Sequence, residues 1–212
     1  MYFKTEGIIL LQKNLGEADK LLTLYTKDHG KLTCIAKGVR RPTSKKSGHV
    51  ELGNWCEVFI AKGKNIDLLT EVEVKKAFGI ENLTPEKVNY IYHLLEIVNL
   101  LTPINQKSSK VFYLLLNFLQ KVSTLDNFSY ISNVFKIKLL KNLGYLASSQ
   151  LVSSPLKQLF IELENANDYN TNGKIKLNRA NNLKLLSFLD SMIENAAERK
   201  LKTARFVNAK VL

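Results

Sequence analysis

The feature that most constrains this chain is a change of period near residue 80. Before it, apolar residues recur at short, alternating intervals. After it, they recur every three or four residues. Period two belongs to a half-buried strand and a period near 3.6 to a helix that buries one face. The expected class is therefore α+β, with an all-β N-terminal part (1–79) followed by an all-α C-terminal part (80–212).

Five strands are expected, at 3–12, 20–26, 31–37, 55–61 and 66–74. Leu22 and Leu24 share a face, as do Leu32, Cys34 and Ala36, and as do Leu68, Thr70, Val72 and Val74. Turns fall at "KDHG", ending in Gly30, and at "KGKN". Five short strands in this span point to a small barrel or sandwich, with the five-stranded OB barrel the natural candidate. Helices are expected over 83–101, 108–122, 130–145, 154–166 and 183–202. Thr84 and Ser154 read as N-caps, each followed by a proline inside the helix, and Gly144 as a left-handed stop. Residues 147–154 read as a polar connection and 167–182 as an Asn-rich loop.

Catalytic motifs are missing. There is no phosphate-binding G-x-x-x-x-G-K-[ST], no G-x-S-x-G and no H-E-x-x-H. His29 and His49 sit in polar stretches, and His93 reads as a packed helix residue. Glu17 and Asp19 read as a solvated turn or a structural hydrogen-bonding site before an acid–base pair. Cys34 and Cys56 form no C-x-x-C and read as small buried residues. Zinc needs about four ligands, which these do not supply. The N-terminus lacks a signal-peptide pattern, and no apolar run approaches the ~20 residues of a membrane span. The reading is a cytoplasmic, non-enzymatic protein with no cofactor, no metal and no membrane partner.

The positive signal is charge. Lys plus Arg is 31 against 19 Asp plus Glu, a net of +12 that favours a polyanionic partner. Residues 36–46, "AKGVRRPTSKK", hold Lys37, Arg40, Arg41, Lys45 and Lys46 and no acid. The wider window 27–49 holds seven basic residues against Asp28 alone. Such a cluster repels itself, and a polyanion that binds it releases condensed counterions. Gly38, Pro42, Thr43 and Ser44 mark it as a loop able to follow phosphates. The bland alternative is a solvated basic loop. Trp55 reads as core more readily than as a base-stacking platform. A second basic run is Arg199, Lys200, Lys202, Arg205 and Lys210; the dipole at a helix C-terminus is a sufficient explanation for its first two, with a binding role the alternative. Lys136, Lys138 and Lys141 read as a solvated helix face.

Taken together, these segments resemble the bacterial recombination mediator family RecO. Gly16, Glu17, Asp19, Leu21, Leu22, Leu24, Thr26 and Gly30 fit its G-E-x-D-x-L-L-x-L-x-T-x-x-x-G pattern. "AKGVRR" with Ser44 is similar to its A-K-G-x-R-x-x-x-S loop, "IDLLTEVEV" to its fifth strand, "FKIKLLKNLGY" to the helix before its central module and "RKLKTARF" to its C-terminal L-K-S-R-x-F segment. The resemblance implies an OB fold and a helical domain. It also implies binding of single- and double-stranded DNA, strand annealing, pairing with a RecR-like protein, and help in loading the recombinase RecA onto DNA coated by single-strand binding protein. Lys37, Arg40 and Arg41 match the loop positions that would contact DNA, and Lys45 and Lys46 extend them. Many members carry a four-cysteine zinc module after "LGY", whereas "LASSQLVSSPLKQ" here has no cysteine. Asn133 and Val134 stand where the family's arginine for the acidic tail of single-strand binding protein is expected, and Thr203-Ala204 where it has Ser-Arg. Lys136 or Lys138 is the candidate substitute. Competing readings are an adaptor for an acidic protein, an RNA-binding OB protein, or an enzyme built around Glu17 and Asp19.

Overall fold

The alternating segments form five strands: β1 (Tyr2–Leu15), β2 (Asp19–Thr26), β3 (Gly30–Ala36), β4 (Trp55–Ala61) and β5 (Asp67–Lys76). The computed structural model describes residues 1–78, 80–122, 128–146, 157–165 and 179–208. The strands close in the order β1-β2-β3-β5-β4, and β4 returns to β1. Every pairing is antiparallel except β3 with β5, which run parallel at Cys34–Asp67 and Ile35–Leu68. This is the expected OB-type barrel.

Its interior is packed by Ile9, Leu22, Leu24, Leu32, Val58 and Ile60, together with both cysteines. Burial pushes each thiol up to about 12, so Cys34 and Cys56 act as neutral packing groups. They are the only cysteines in the chain, and both are free and buried.

Two bulges change the alternation read from the sequence. In β1 the register shifts between Ile9 and Leu11, which lets Ile8, Ile9 and Leu10 all be buried as the strand bends from β4 to β2. In β5 the shift around Thr70 puts Leu69 in the core, where Leu68 was expected. Beyond the bulge Val72 and Val74 pack inward as expected.

The turn between β2 and β3 is strapped down by the segment joining the first two helices. The Asn105 amide donates to the Lys31 carbonyl at 2.8 Å, and the Tyr25 hydroxyl to the Ser108 carbonyl at 3.4 Å. Gly30 has φ +67°, and a Cβ there would lie 2.1 Å from the Gln106 carbonyl oxygen.

The helices are α1 (Pro85–Leu101), α2 (Ser109–Val122), α3 (Phe128–Asn142), α4 (Lys157–Glu164), α5 (Arg179–Ala197) and α6 (Ala204–Asn208). Thr84 caps α1 through the Lys87 amide, and Ser108 caps α2 through the Val111 amide. At the end of α3 the Tyr145 amide reaches the Leu140 carbonyl at 2.9 Å around Gly144, the expected left-handed stop. Ser154, Pro155, the connection 147–154 and most of the Asn-rich segment lie outside the described residues. Residues 179–182 of that segment are helical, so α5 starts four residues before the expected 183. It also ends earlier, at Ala197. Glu198 adopts φ 51° and the Arg199 amide closes onto the Glu194 carbonyl, a left-handed cap made without glycine. Arg199 and Lys200 therefore follow the helix rather than lying in its last turn.

The chain divides into two compact units, Met1–Asn82 with Val98–Leu116, and Leu83–Ile97 with Asn117–Leu212. The second contains a polar network that corrects the expectation of a solvated lysine face on α3. Lys136 is fully buried, and its Nζ lies 2.6 Å from Asp190 Oδ1. His93, also fully buried, has Nε2 3.6 Å from that same oxygen and Nδ1 2.8 Å from the Thr203 hydroxyl. Glu96 accepts from the amides of Lys202 and Thr203. Lys138 is half-buried. Burial, then the Lys136 charge, lowers the His93 pKa from 6.5 to about 4.

Gly30→Ala is expected to destabilise the barrel by more than about 2 kcal/mol, because a left-handed alanine alone costs about 1–2 kcal/mol and the backbone clash adds to it. Urea unfolding of the variant measures this. His93 predicts a pH effect of definite sign. The unfolded chain takes its proton near pH 6.5, the folded chain only near pH 4, so stability falls as pH falls through that window. The size is on the order of 3 kcal/mol. Denaturation midpoints between pH 7 and 4 should decline less in His93→Gln than in the parent.

Candidate nucleic-acid interface

The basic segment is the connection from β3 to β4. It is built of successive turns rather than free chain. The Arg41 amide donates to the Gly38 carbonyl at 3.1 Å, the Ser44 amide to the Arg41 carbonyl at 2.9 Å, and a 3-10 helix follows at Ser47–Val50. Val39 and Val50 are fully buried in the barrel core and pin the segment at both ends.

A second anchor comes from the β1–β2 turn. Asp19 Oδ1 accepts from the Gly38 amide at 2.7 Å. The Arg40 amide donates to the Ala18 carbonyl at 2.9 Å, and its Nη1 to the Gly16 carbonyl at 3.0 Å. Gly38 has φ +66°, so the turn that receives these bonds suits glycine. Of the three readings of Glu17 and Asp19, the hydrogen-bonding one describes Asp19, which is a structural acceptor. Glu17 is exposed.

The anchors leave the cations outward. Lys37, Arg40, Arg41 and Lys45 are exposed and Lys46 is half-buried. None of the five makes an ion pair among the described residues. The outer face of β1, β4 and β5 is the opposite case. Lys4 pairs with Glu57 at 2.7 Å, Lys75 with Glu6 at 3.1 Å and Lys27 with Glu6 at 3.7 Å. Trp55 belongs to that face and not to the core. Its Nε1 donates to Glu6 at 3.0 Å, and Lys75 lies 5.6 Å over its ring.

The seven-cation window of the sequence splits in space. Lys27 and Lys31 sit at the far end of the β2–β3 hairpin, and Lys31 Nζ donates to the Asn99 carbonyl. Burial holds that ammonium below its ordinary value. The C-terminal run is partly engaged: Lys200 pairs with Glu194 at 2.6 Å, the Arg205 guanidinium lies 4.7 Å over the Phe206 ring, and Lys210 is outside the described residues. Lys136, offered as a contact for an acidic tail, is buried against Asp190 and presents no cation. No helix among the described residues is long and apolar enough to cross a membrane.

Unpaired guanidinium and ammonium groups on a fixed turn are donors for phosphate oxygens. Arg40 spends one donor on Gly16 and keeps the others of its fork.

Residues 1–78 match the family described as "Recombination protein O N terminal", and residues 83–150 match "Recombination protein O C terminal". The DNA repair protein RecO of Acetivibrio thermocellus is 35% identical over 145 residues, covering 68% of this chain and 58% of that protein. Its namesake in Pelotomaculum thermopropionicum is 31% identical over 143 residues, 68% and 56% of the two chains. In Moorella thermoacetica the values are 34%, 67% and 53%. The chain thus spans somewhat more than half the length of these relatives.

Asp19→Ala removes the acceptor of the Gly38 amide. It should lower stability by about 1.5–3 kcal/mol, the range for a hydrogen bond to a charged group. Hydrogen exchange at the Gly38 and Arg40 amides should quicken, and unchanged exchange there would contradict the anchoring.

Proposed function

The chain belongs to the recombination protein O family, and on that premise we propose that it is a non-enzymatic mediator of DNA repair and homologous recombination. In this reading it binds single- and double-stranded DNA and promotes annealing of complementary strands. It also helps load the recombinase onto DNA coated by single-strand binding protein, working with a RecR-like protein. Residues 1–79 form the DNA-binding OB domain and 80–212 the helical domain, without a zinc module.

One observation carries the reading: Lys37, Arg40, Arg41, Lys45 and Lys46 share an anchored loop with no acid to neutralise them. Holding such a cluster together costs stability in a free protein and is offset when a phosphate backbone takes it up. Annealing needs the same chemistry, since two strands approach only when their phosphate repulsion is screened. The side chains act by position and charge, and no bond is made or broken.

The triple variant Lys37→Ala, Arg40→Ala, Arg41→Ala tests this. Fluorescence anisotropy of a labelled single-stranded oligonucleotide across a salt series should give the parent a log–log slope of roughly −3.5 to −5, from about −0.7 per phosphate contact. The variant should bind more weakly with every sequence, its slope smaller by about 2. A folded variant that binds as the parent does would remove the loop from the interface, and a parent that shows no salt-dependent binding would favour an acidic protein partner.

A further inference from the structure

The opposite end of the β2–β3 hairpin has a different chemistry. Lys20 faces Ala36 at the loop end and Thr26 faces Gly30 at the turn end. Six residues at about 3.3 Å each put the two ends about 20 Å apart.

Rings and lysines alternate around this turn. Phe3 and His29 lie with ring centroids 4.2 Å apart, and Lys62 Nζ is 5.3 Å from the Phe3 ring. Lys27 Nζ is 5.8 Å from the ring of Tyr113. Tyr113 is 45% exposed and rests edge-on against the fully buried Phe112, with centroids 5.5 Å apart. The strap from Asn105 and Ser108 to the hairpin fixes the first turns of α2 beside it, so the surface is pre-formed.

Unlike those of the basic loop, most of these lysines are neutralised. Lys27 pairs with Glu6 at 3.7 Å, Lys107 with Asp28 at 3.5 Å and Lys62 with Asp67 at 3.0 Å. What faces solvent are the rings of Tyr113 and His29 beside lysine stems, while Phe3 is half-buried and packs against the barrel core. Such a surface offers little to a phosphate and much to an unpaired base, which stacks on aromatic faces whatever its identity.

We infer that this hairpin end, centred on Tyr113 and His29, is a second nucleic-acid site that stacks the unpaired bases of single-stranded DNA. The inference rests on the function proposed above and gives it a division of labour. The loop grips phosphates of single strands and duplex alike, and the hairpin end holds exposed bases some 20 Å away. A protein with both can keep one strand unpaired and available while a second is brought in.

Tyr113→Ala in the full chain, titrated against a single-stranded oligonucleotide and a blunt duplex of the same length, tests it. Single-strand affinity should fall at least about fivefold, the lower end of what one stacked base contributes. Duplex affinity and the salt slope should stay as in the parent, and Tyr113→Phe should bind as the parent does. If Tyr113→Ala does not fold, His29→Ala is read in its place with the same expectations. Unchanged single-strand affinity, or an equal loss for both DNAs, overturns the second site. The loop variant then tells the two failures apart: if it still loses binding, the proposed function stands without this site. A parent that binds neither DNA overturns both.

Discussion

The 2.7 Å hydrogen bond from the Gly38 amide to the Asp19 carboxylate is the contact on which the rest depends. It ties the turn between the first two strands to the segment that leaves the third. With Val39 buried below it and the Arg40 amide held by Ala18, the bond converts a self-repelling stretch into a set of turns of fixed geometry. The repulsion among five unpaired cations is borne by the barrel core and not relieved by neighbouring acids. Such an arrangement costs stability in the free protein, and a bound polyanion would offset that cost.

The helical unit solves a different problem. Lys136 and Asp190 bring a salt bridge into the interior, and a buried pair of this kind adds little net stability over apolar packing, while loss of one partner is severe. His93 joins Asp190 to Thr203, and Glu96 receives the next two amides, so the C-terminal segment is held on the first helix by polar contacts. The cations that matter at the surface and those that matter inside are thus separated by unit, although the chain's net charge of +12 counts them alike.

Much of this was legible in the sequence. Period two followed by period 3.6 is a local property, so five strands and the main helices could be read directly, as could Thr84 and Gly144 at their termini. The basic loop was visible as a run of cations. What could not be read depends on pairings far apart in the chain. The bulge that exchanges Leu68 for Leu69 arises from register with the fourth strand. Lys136 looked solvated because its partner lies 54 residues away. Trp55 looked like core because alternation does not say which face of a closed barrel an end residue takes, and Lys27 and Lys31 looked like part of the loop because sequence distance hides the length of a hairpin. Asp19 is the instructive case: its residue type allowed three roles, and only the fold brings the Gly38 amide to it.

The most direct test of the central claim is hydrogen exchange of the whole chain with and without a saturating single-stranded oligonucleotide. New protection should be concentrated in residues 37–46, with the Gly38 and Arg40 amides, already bonded to Asp19 and Ala18, slow in both states. Protection confined to the helical unit, with the 37–46 segment unchanged, would contradict it and move the interface away from the barrel.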